Sequence, residues 1–223
     1  MTAWVLNAAL AQLAAWRDAG LALQLSVNVS ATNLREHDFA ERVAHSLMRY
    51  ALAAGSLELE VTESAVMEDT GQALAALDTI ARAGTGLAID DFGTGYSSLA
   101  YLQRLPANVV KIDQSFVRGL AADERKRALV ATMASLGHEF GYRVVAEGVE
   151  TRDVLGYVES AGCDKGQGYL FGRPMAPESF STWRQEWLGA RPTPAGDRTG
   201  FSGPAQASAG RSRPKLGAGP VRA

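Results

Sequence analysis

Two adjacent carboxylates, Asp90 and Asp91, are the residues of this chain whose placement most clearly calls for a chemical explanation. They follow residues 86–89, a short apolar run typical of a buried strand, and precede a loop with Gly93 and Gly95. Two neighbouring like charges repel, and removing either one from water costs free energy. Divalent cations would offset both effects. We therefore predict a metal site at the carboxyl end of this strand. The alternative is that Asp91 starts a turn and Asp90 caps a backbone group.

Other polar side chains recur where predicted strands end. Strands are predicted over residues 21–29, 57–61, 86–89, 109–112, 143–146 and 163–169. Helices are predicted over residues 4–16, 38–50, 69–82, 97–104, 123–140, 151–161 and 177–188. The polar residues at the strand ends are Asn28, Glu60, Asp90 with Asp91, Lys111, Glu147 and Gln167. Strict alternation of strands and helices predicts a parallel sheet, whose strands all end at the same edge.

Side chains from six strand ends converge only if the sheet curls into a barrel, since an open doubly wound sheet gathers its ligands at one switch point. The predicted fold class is therefore α/β, of the (β/α)8 barrel type. A complete barrel has eight strands, whereas residues 1–189 supply about six βα units and begin directly in a helix pattern. We expect the first two strands to be missing, which leaves the barrel incomplete.

Charge divides the chain into two regions. Residues 1–189 carry 16 Lys and Arg against 23 Asp and Glu, and residues 190–223 carry 6 against one, giving balances of −7 and +5. The acidic body argues against a nucleic-acid polymer as partner. The tail is rich in Pro, Gly, Ala and Arg, and we expect it to be disordered. The chain has no apolar run of about 20 residues that could span a membrane, and its single cysteine, Cys163, suits the cytoplasm.

Six segments together resemble the EAL-domain family, the cyclic di-GMP phosphodiesterases of bacteria. They are SVNVS at 26–30, LELEVTES at 57–64, IDDFGTGYSSL at 89–99, VKIDQSFV at 110–117, VAEGVE at 145–150 and GQGYLF at 166–171. They occur in the family's order, and the resemblance extends from residue 4 to about residue 180. The resemblance implies a modified TIM-like (β/α)8 barrel that hydrolyses cyclic di-GMP to pGpG, using two divalent cations, Mg²⁺ or Mn²⁺.

The resemblance also implies a role for each polar strand end. The implied metal ligands are Asn28, Glu60, Asp90, Asp91 and Glu147, with Asp90 bridging the two ions. Lys111 would contact the attacking water or a phosphate oxygen, Glu147 would serve as a ligand or general base, and Gln167 would orient water and phosphate. Glu63 would fix the loop after Asp91. That loop, residues 92–98, resembles the family's link between metal binding and dimerisation, which implies a homodimer.

One departure from the family leaves alternatives open. The Glu-Ala-Leu segment that names the family, with its metal-binding glutamate and a nearby phosphate-binding arginine, does not occur here. The chain would then be either a phosphodiesterase or a catalytically impaired module that binds cyclic di-GMP. A third interpretation is that Met1 marks a misassigned start or a fragment boundary. The natural protein would then be larger, with several domains or a membrane anchor, and this domain would lie in the cytoplasm.

Each polar residue also has a structural interpretation. Asn28 could serve only as a hydrogen-bonding residue, Glu60 could be a surface glutamate on an edge strand, and Lys111 could pair with Asp113. Their occurrence together at six strand ends favours the site.

Overall fold

The structure, a computed structural model, describes residues 3–67, 70–95 and 102–189. Four sequence-based predictions fall wholly or partly outside those ranges. They concern the first residue of the helix over residues 69–82, most of the helix over residues 97–104, the second half of the loop over residues 92–98, and the tail over residues 190–223.

The described residues form six strands and nine helices. The strands are β1 (Leu25–Val29), β2 (Leu57–Thr62), β3 (Gly86–Phe92), β4 (Val109–Ile112), β5 (Arg143–Ala146) and β6 (Lys165–Gly166). The helices are α1 (Ala3–Asp18), α2 (Ala31–Leu34), α3 (Phe39–Arg49), α4 (Glu63–Met67), α5 (Thr70–Arg82), α6 (Gln114–Val117), α7 (Glu124–Glu139), α8 (Arg152–Ser160) and α9 (Pro177–Gly189).

Within the described residues the predicted order of strands and helices is confirmed, although β1 and β6 are shorter than predicted and two further details differ. Strand β3 continues through Asp90 and Asp91 to Phe92, so the acidic pair lies within the strand's end rather than after it. The one-turn helices α2, α4 and α6 directly follow β1, β2 and β4. They are too short to show a helical hydrophobic period, and α6 instead begins at a cap, since the Asp113 carboxylate accepts from the Ser115 N–H at 2.9 Å.

The sheet is wholly parallel, with the strands in chain order from β1 to β6. In the part of the chain that the structure describes, β1 and β6 are its edges. Ser26 of β1 and Lys165 of β6 line one cavity of about 590 Å³, so the sheet curls until its two edges face a shared interior. This architecture is an incomplete TIM-like barrel, as predicted, with the apolar helix faces packed on the outside of the strands.

Aromatic side chains join the two ends of the described chain. The rings of Trp16 on α1 and Phe180 on α9 lie 4.9 Å apart, and Trp183 stacks on Trp187 with centroids 5.9 Å apart. Phe180 and Trp183 also line the interior cavity, so α9 covers the side of the sheet between β1 and β6. None of the helices within the described ranges has both the length and the apolar character needed to span a membrane.

Candidate active site

Lys111 lies at the centre of a cluster of carboxylates contributed by neighbouring strand ends. Its Nζ lies 2.6 Å from Glu147 Oε1, 2.8 Å from Glu60 Oε2 and 3.3 Å from Asp90 Oδ1. The four residues belong to β2, β3, β4 and the residue after β5, so they meet only because parallel strands end at one edge of a curled sheet. We call these four residues the acidic cluster.

Burial makes the charges of the acidic cluster interact strongly. The Lys111 side chain is 4% exposed and that of Glu60 is 7% exposed. Burial alone would lower the pKa of Lys111, but hydrogen bonds to Glu147 and Glu60 outweigh it and raise that pKa above its ordinary range. Burial raises the pKa of Glu147, and the charges of Asp90 and Glu60 add to the rise against the effect of Lys111. One ammonium therefore faces an excess of negative charge.

Asp91 lies beside the acidic cluster in a tight turn. Its φ of 56° is in the left-handed region, its N–H donates to Asp90 Oδ1 at 3.1 Å, and its carbonyl accepts from the Thr94 N–H at 3.1 Å. The turn and the cap that the sequence left as an alternative are therefore both present. Neither the turn nor the cap involves the Asp91 carboxylate. Burial raises the pKa of that carboxylate, and the charges of Asp90 and Asp113 raise it further.

Glu63 contacts the loop that follows the acidic pair. Its carboxylate is buried, and Oε2 accepts from the Gly93 N–H at 3.1 Å. Among the described residues its other oxygen, Oε1, is buried without a hydrogen-bond partner, and a Cβ added at Gly95 would lie 2.7 Å from that oxygen. The loop therefore packs closely on Glu63, which is the contact that a loop-fixing role requires.

Asn28 and Gln167 lie at the margin of the site. Asn28 is exposed on edge strand β1, directly opposite Glu60 in the strand register. Gln167 is exposed just after β6, and it lines a cavity of about 230 Å³ together with Glu147. The structure thus brings Glu60, Asp90, Lys111 and Glu147 into contact and places the other predicted residues around them.

Two structural interpretations of single residues are wrong. Glu60 is 6% exposed, so it is not a surface glutamate. Lys111 binds the carboxylates of the acidic cluster, while the Asp113 carboxylate caps α6.

The donor chemistry of the site fits a hard divalent cation, although the described side chains are arranged around an ammonium. Within the described ranges, no three His, Cys, Asp or Glu side chains are arranged to hold a metal ion. The available donors are nevertheless carboxylate and amide oxygens, which hard cations such as Mg²⁺ prefer. Three carboxylates share one ammonium here, and the charges of neighbouring carboxylates add to the effect of burial in raising the pKa of Glu147 and of Asp91.

The structure adds residues that the sequence did not single out. Glu58 is 8% exposed in the barrel interior and accepts from the Ser26 hydroxyl at 3.1 Å. Glu58 lies two residues before Glu60 on the same face of β2, and this spacing could have predicted that it also faces the interior. Arg173 stacks on the Tyr169 ring, with its guanidinium carbon 4.6 Å from the centroid, beside the same interior cavity. No pattern in the sequence predicted this contact between Arg173 and Tyr169.

Comparisons with known proteins agree with this geometry. Residues 1–174 match the family model described as the EAL domain. The cyclic di-GMP phosphodiesterase PA2567 of Pseudomonas aeruginosa is 41% identical over 180 residues, which are 81% of this chain and 31% of that protein. The chain therefore spans about a third of that relative's length.

Two solved structures share the fold. A cyclic di-GMP complex of the PaMucR phosphodiesterase is 42% identical with a TM-score of 0.76, covering 79% of this chain and 72% of that one. A calcium and cyclic di-GMP complex of Klebsiella pneumoniae BlrP1 is 34% identical with a TM-score of 0.69, covering 77% of this chain and 44% of that one.

Proposed function

The chain belongs to the EAL domain family, and from that premise we propose that it hydrolyses cyclic di-GMP to linear pGpG in bacterial second-messenger signalling. The acidic cluster is the observation that supports this activity most directly. Three carboxylates meet around Lys111 at the edge of a large cavity: buried Glu60 of β2, half-buried Asp90 of β3 and half-buried Glu147 after β5. The relative PA2567 and the PaMucR structure are phosphodiesterases by name, and PaMucR was solved with cyclic di-GMP.

We infer that the site takes two divalent cations, Mg²⁺ or Mn²⁺. The residues that would hold them are Asn28, Glu60, Asp90, Asp91 and Glu147. When bound, such a pair activates a water molecule and stabilises the leaving oxygen of a phosphodiester. The oxygen donor set and the excess negative charge of the site support this assignment.

The chain's own residues position the water and move its proton. Lys111 stays protonated, because its hydrogen bonds to Glu147 and Glu60 raise its pKa, so it donates to the attacking water or a phosphate oxygen. Glu147, whose pKa burial raises, accepts the proton of that water. The water oxygen bonds to phosphorus, the bond from phosphorus to the 3′ oxygen breaks, and the proton passes to that oxygen. Gln167 orients the water and the phosphate.

Two further features of the protein are part of the proposal. Residues 1–189 form one EAL-domain unit that works in the cytoplasm. The loop after Asp91 mediates a homodimer. Support for the loop's role comes from the bond between Glu63 Oε2 and the Gly93 N–H, which ties the loop to the residues beside the site.

Hydrolysis by variants of the acidic cluster tests the site. Asp90→Asn and Glu147→Gln keep the side-chain shape and remove one charge each, so each should lower kcat about a hundredfold or more. Glu139→Gln, at the end of α7, is the matched control and should behave as the wild type. If both site variants keep full activity, the site assignment is wrong. A wild-type chain that binds cyclic di-GMP without forming pGpG would instead identify a binding module.

A further inference from the structure

One cavity connects the acidic cluster with two residues after β6. Its lining includes Glu60, Lys111 and Gln167, and also Tyr169 and Arg173. Its volume is about 590 Å³, which is within the range of cavities that take small-molecule ligands. A ligand that places a phosphate at the acidic cluster can therefore extend its other groups towards Tyr169 and Arg173.

Tyr169 and Arg173 form a cation–π pair. The Tyr169 ring is 50% exposed, and the Arg173 guanidinium lies over it, with its central carbon 4.6 Å from the ring centroid. Stacking uses one face of the guanidinium and leaves the N–H groups along its edge available for hydrogen bonds. No carboxylate among the described residues lies within salt-bridge distance of Arg173, so no described carboxylate neutralises its charge.

We propose that Arg173, held on the Tyr169 ring, binds the guanine base of the dinucleotide and determines specificity for guanine over adenine. This inference rests on the proposed function. Guanine presents two neighbouring acceptors, N7 and O6, which match the two parallel donors of a guanidinium. Adenine presents an acceptor at N7 but a donor at N6, so one guanidinium N–H would face another donor. The Tyr169 ring keeps the guanidinium plane oriented.

The geometry distinguishes this role from simple attraction of phosphate by positive charge. A lysine at position 173 would keep the charge but lose the two-donor edge and the planar stack. If the charge alone mattered, Arg173→Lys would preserve the selectivity of the wild type. If the paired donors matter, Arg173→Lys and Arg173→Ala lose selectivity alike.

The experiment compares cyclic di-GMP with cyclic di-AMP as substrates and as ligands. The ratio of the two kcat/KM values, and the ratio of the two dissociation constants from calorimetry, are measured for the wild type and for Arg173→Ala and Arg173→Lys. Both variants should lower the preference for cyclic di-GMP about ten- to a hundredfold, with little change for cyclic di-AMP. Tyr169→Phe keeps the stacking ring and should keep the preference.

A second stacked arginine offers a matched control. Arg49 lies over the Tyr50 ring at 5.7 Å, away from this cavity, so Arg49→Ala should leave both ratios unchanged. The inference is overturned if the wild type hydrolyses cyclic di-GMP and Arg173→Ala keeps the same preference, or loses both substrates equally. A wild-type chain that neither hydrolyses nor binds either dinucleotide would overturn the proposed function and this inference with it.

Discussion

At the scale of single residues, the acidic cluster depends on the positive charge of Lys111. Its ammonium contacts Glu60, Asp90 and Glu147 within 3.3 Å, and its side chain is 4% exposed. Carboxylates that surround one ammonium in a largely buried site repel one another unless a cation lies among them. The lysine is therefore both a donor for substrate and the counter-charge that holds the carboxylates together.

Replacing Lys111 should show how much its charge stabilises the fold. Lys111→Met should lower the free energy of unfolding by about 3–5 kcal/mol near neutral pH, because the buried carboxylates lose their partner. Added Mg²⁺ or Mn²⁺ should restore part of that loss, since a bound cation supplies the missing charge. Urea unfolding with and without the metal measures both effects.

The control for this change is Lys165→Met. Lys165 lines the same cavity, and among the described residues no carboxylate lies within ion-pair distance of it. It should therefore change stability little and respond little to the metal. A Lys111→Met protein as stable as the wild type would show that the acidic cluster does not depend on the lysine's charge.

At the scale of elements, short contacts after the strands position the catalytic side chains. Gly168 follows Gln167 and precedes Tyr169, and its backbone packs directly on that of Val149. A Cβ at Gly168 would lie 2.3 Å from the Val149 carbonyl oxygen, and the φ there is +158°. The segment after β6 can reach its place only with glycine at this position.

A pair of glycine substitutions tests that contact. Gly168→Ala should move Gln167 and Tyr169, lowering kcat/KM at least tenfold and destabilising the fold by about 1–3 kcal/mol. Gly156→Ala is the control, because it lies in α8 with open space around it and should be neutral or stabilising by about 1 kcal/mol. Equal activity and equal melting temperature in the two variants would contradict the contact.

Asp164 ties α7 to the start of β5, at the end of the barrel opposite the acidic cluster. Its Oδ2 accepts from the Val144 N–H at 2.6 Å and contacts His138 Nε2 at 2.8 Å. Burial alone would raise the pKa of Asp164, but these hydrogen bonds outweigh it and hold the pKa below its ordinary value of 3.8. The carboxylate thus stabilises the fold above about that pH.

The Asp164 contact predicts a pH-dependent stability difference. Asp164→Asn should lower the free energy of unfolding by about 1 kcal/mol at neutral pH. The difference from the wild type should shrink below about pH 4, as the wild-type carboxyl takes up its proton. Glu159→Gln, an exposed carboxylate on α8, should show no such trend in denaturant titrations at several pH values. A constant difference between pH 3 and pH 7 would contradict the assignment.

At the scale of the whole molecule, the described sheet has an uncharged edge. Strand β1 contains no charged residue and no proline, and it adjoins an apolar groove that includes Trp4, Val5 and Trp16. Trp4 is 75% exposed there. Unprotected edges of this kind favour pairing between chains.

The edge predicts self-association that depends on concentration. Trp4→Glu should raise the concentration at which the chain associates, because it adds charge to the groove without disturbing the core. Met48→Glu, which alters a similarly exposed apolar residue on α3, should not. Light scattering across a concentration series measures the concentration at which each variant associates. Identical association curves for the two variants would contradict a role for the β1 edge. The proposed dimer through the loop after Asp91 would persist in both.

The sequence predicted the strand order and the polar residues at the strand ends because both follow from local patterns. Asp90, Lys111 and Glu147 each end an apolar run, and the parallel alternation assigns all such ends to one edge. The contacts within the acidic cluster could not be predicted, since they depend on the curl of the sheet. The stacking of Arg173 on Tyr169 depends on the path of an irregular segment, which leaves no periodic signal.

The central claim is that the acidic cluster hydrolyses a cyclic dinucleotide with the help of divalent cations. The most direct measurement is the formation of pGpG from cyclic di-GMP by the 223-residue chain, with Mg²⁺ or Mn²⁺ and again with excess EDTA. We expect pGpG to accumulate with either metal and EDTA to abolish its formation. If pGpG forms at the same rate in EDTA, or if no pGpG forms with either metal, metal-dependent hydrolysis at the acidic cluster is contradicted.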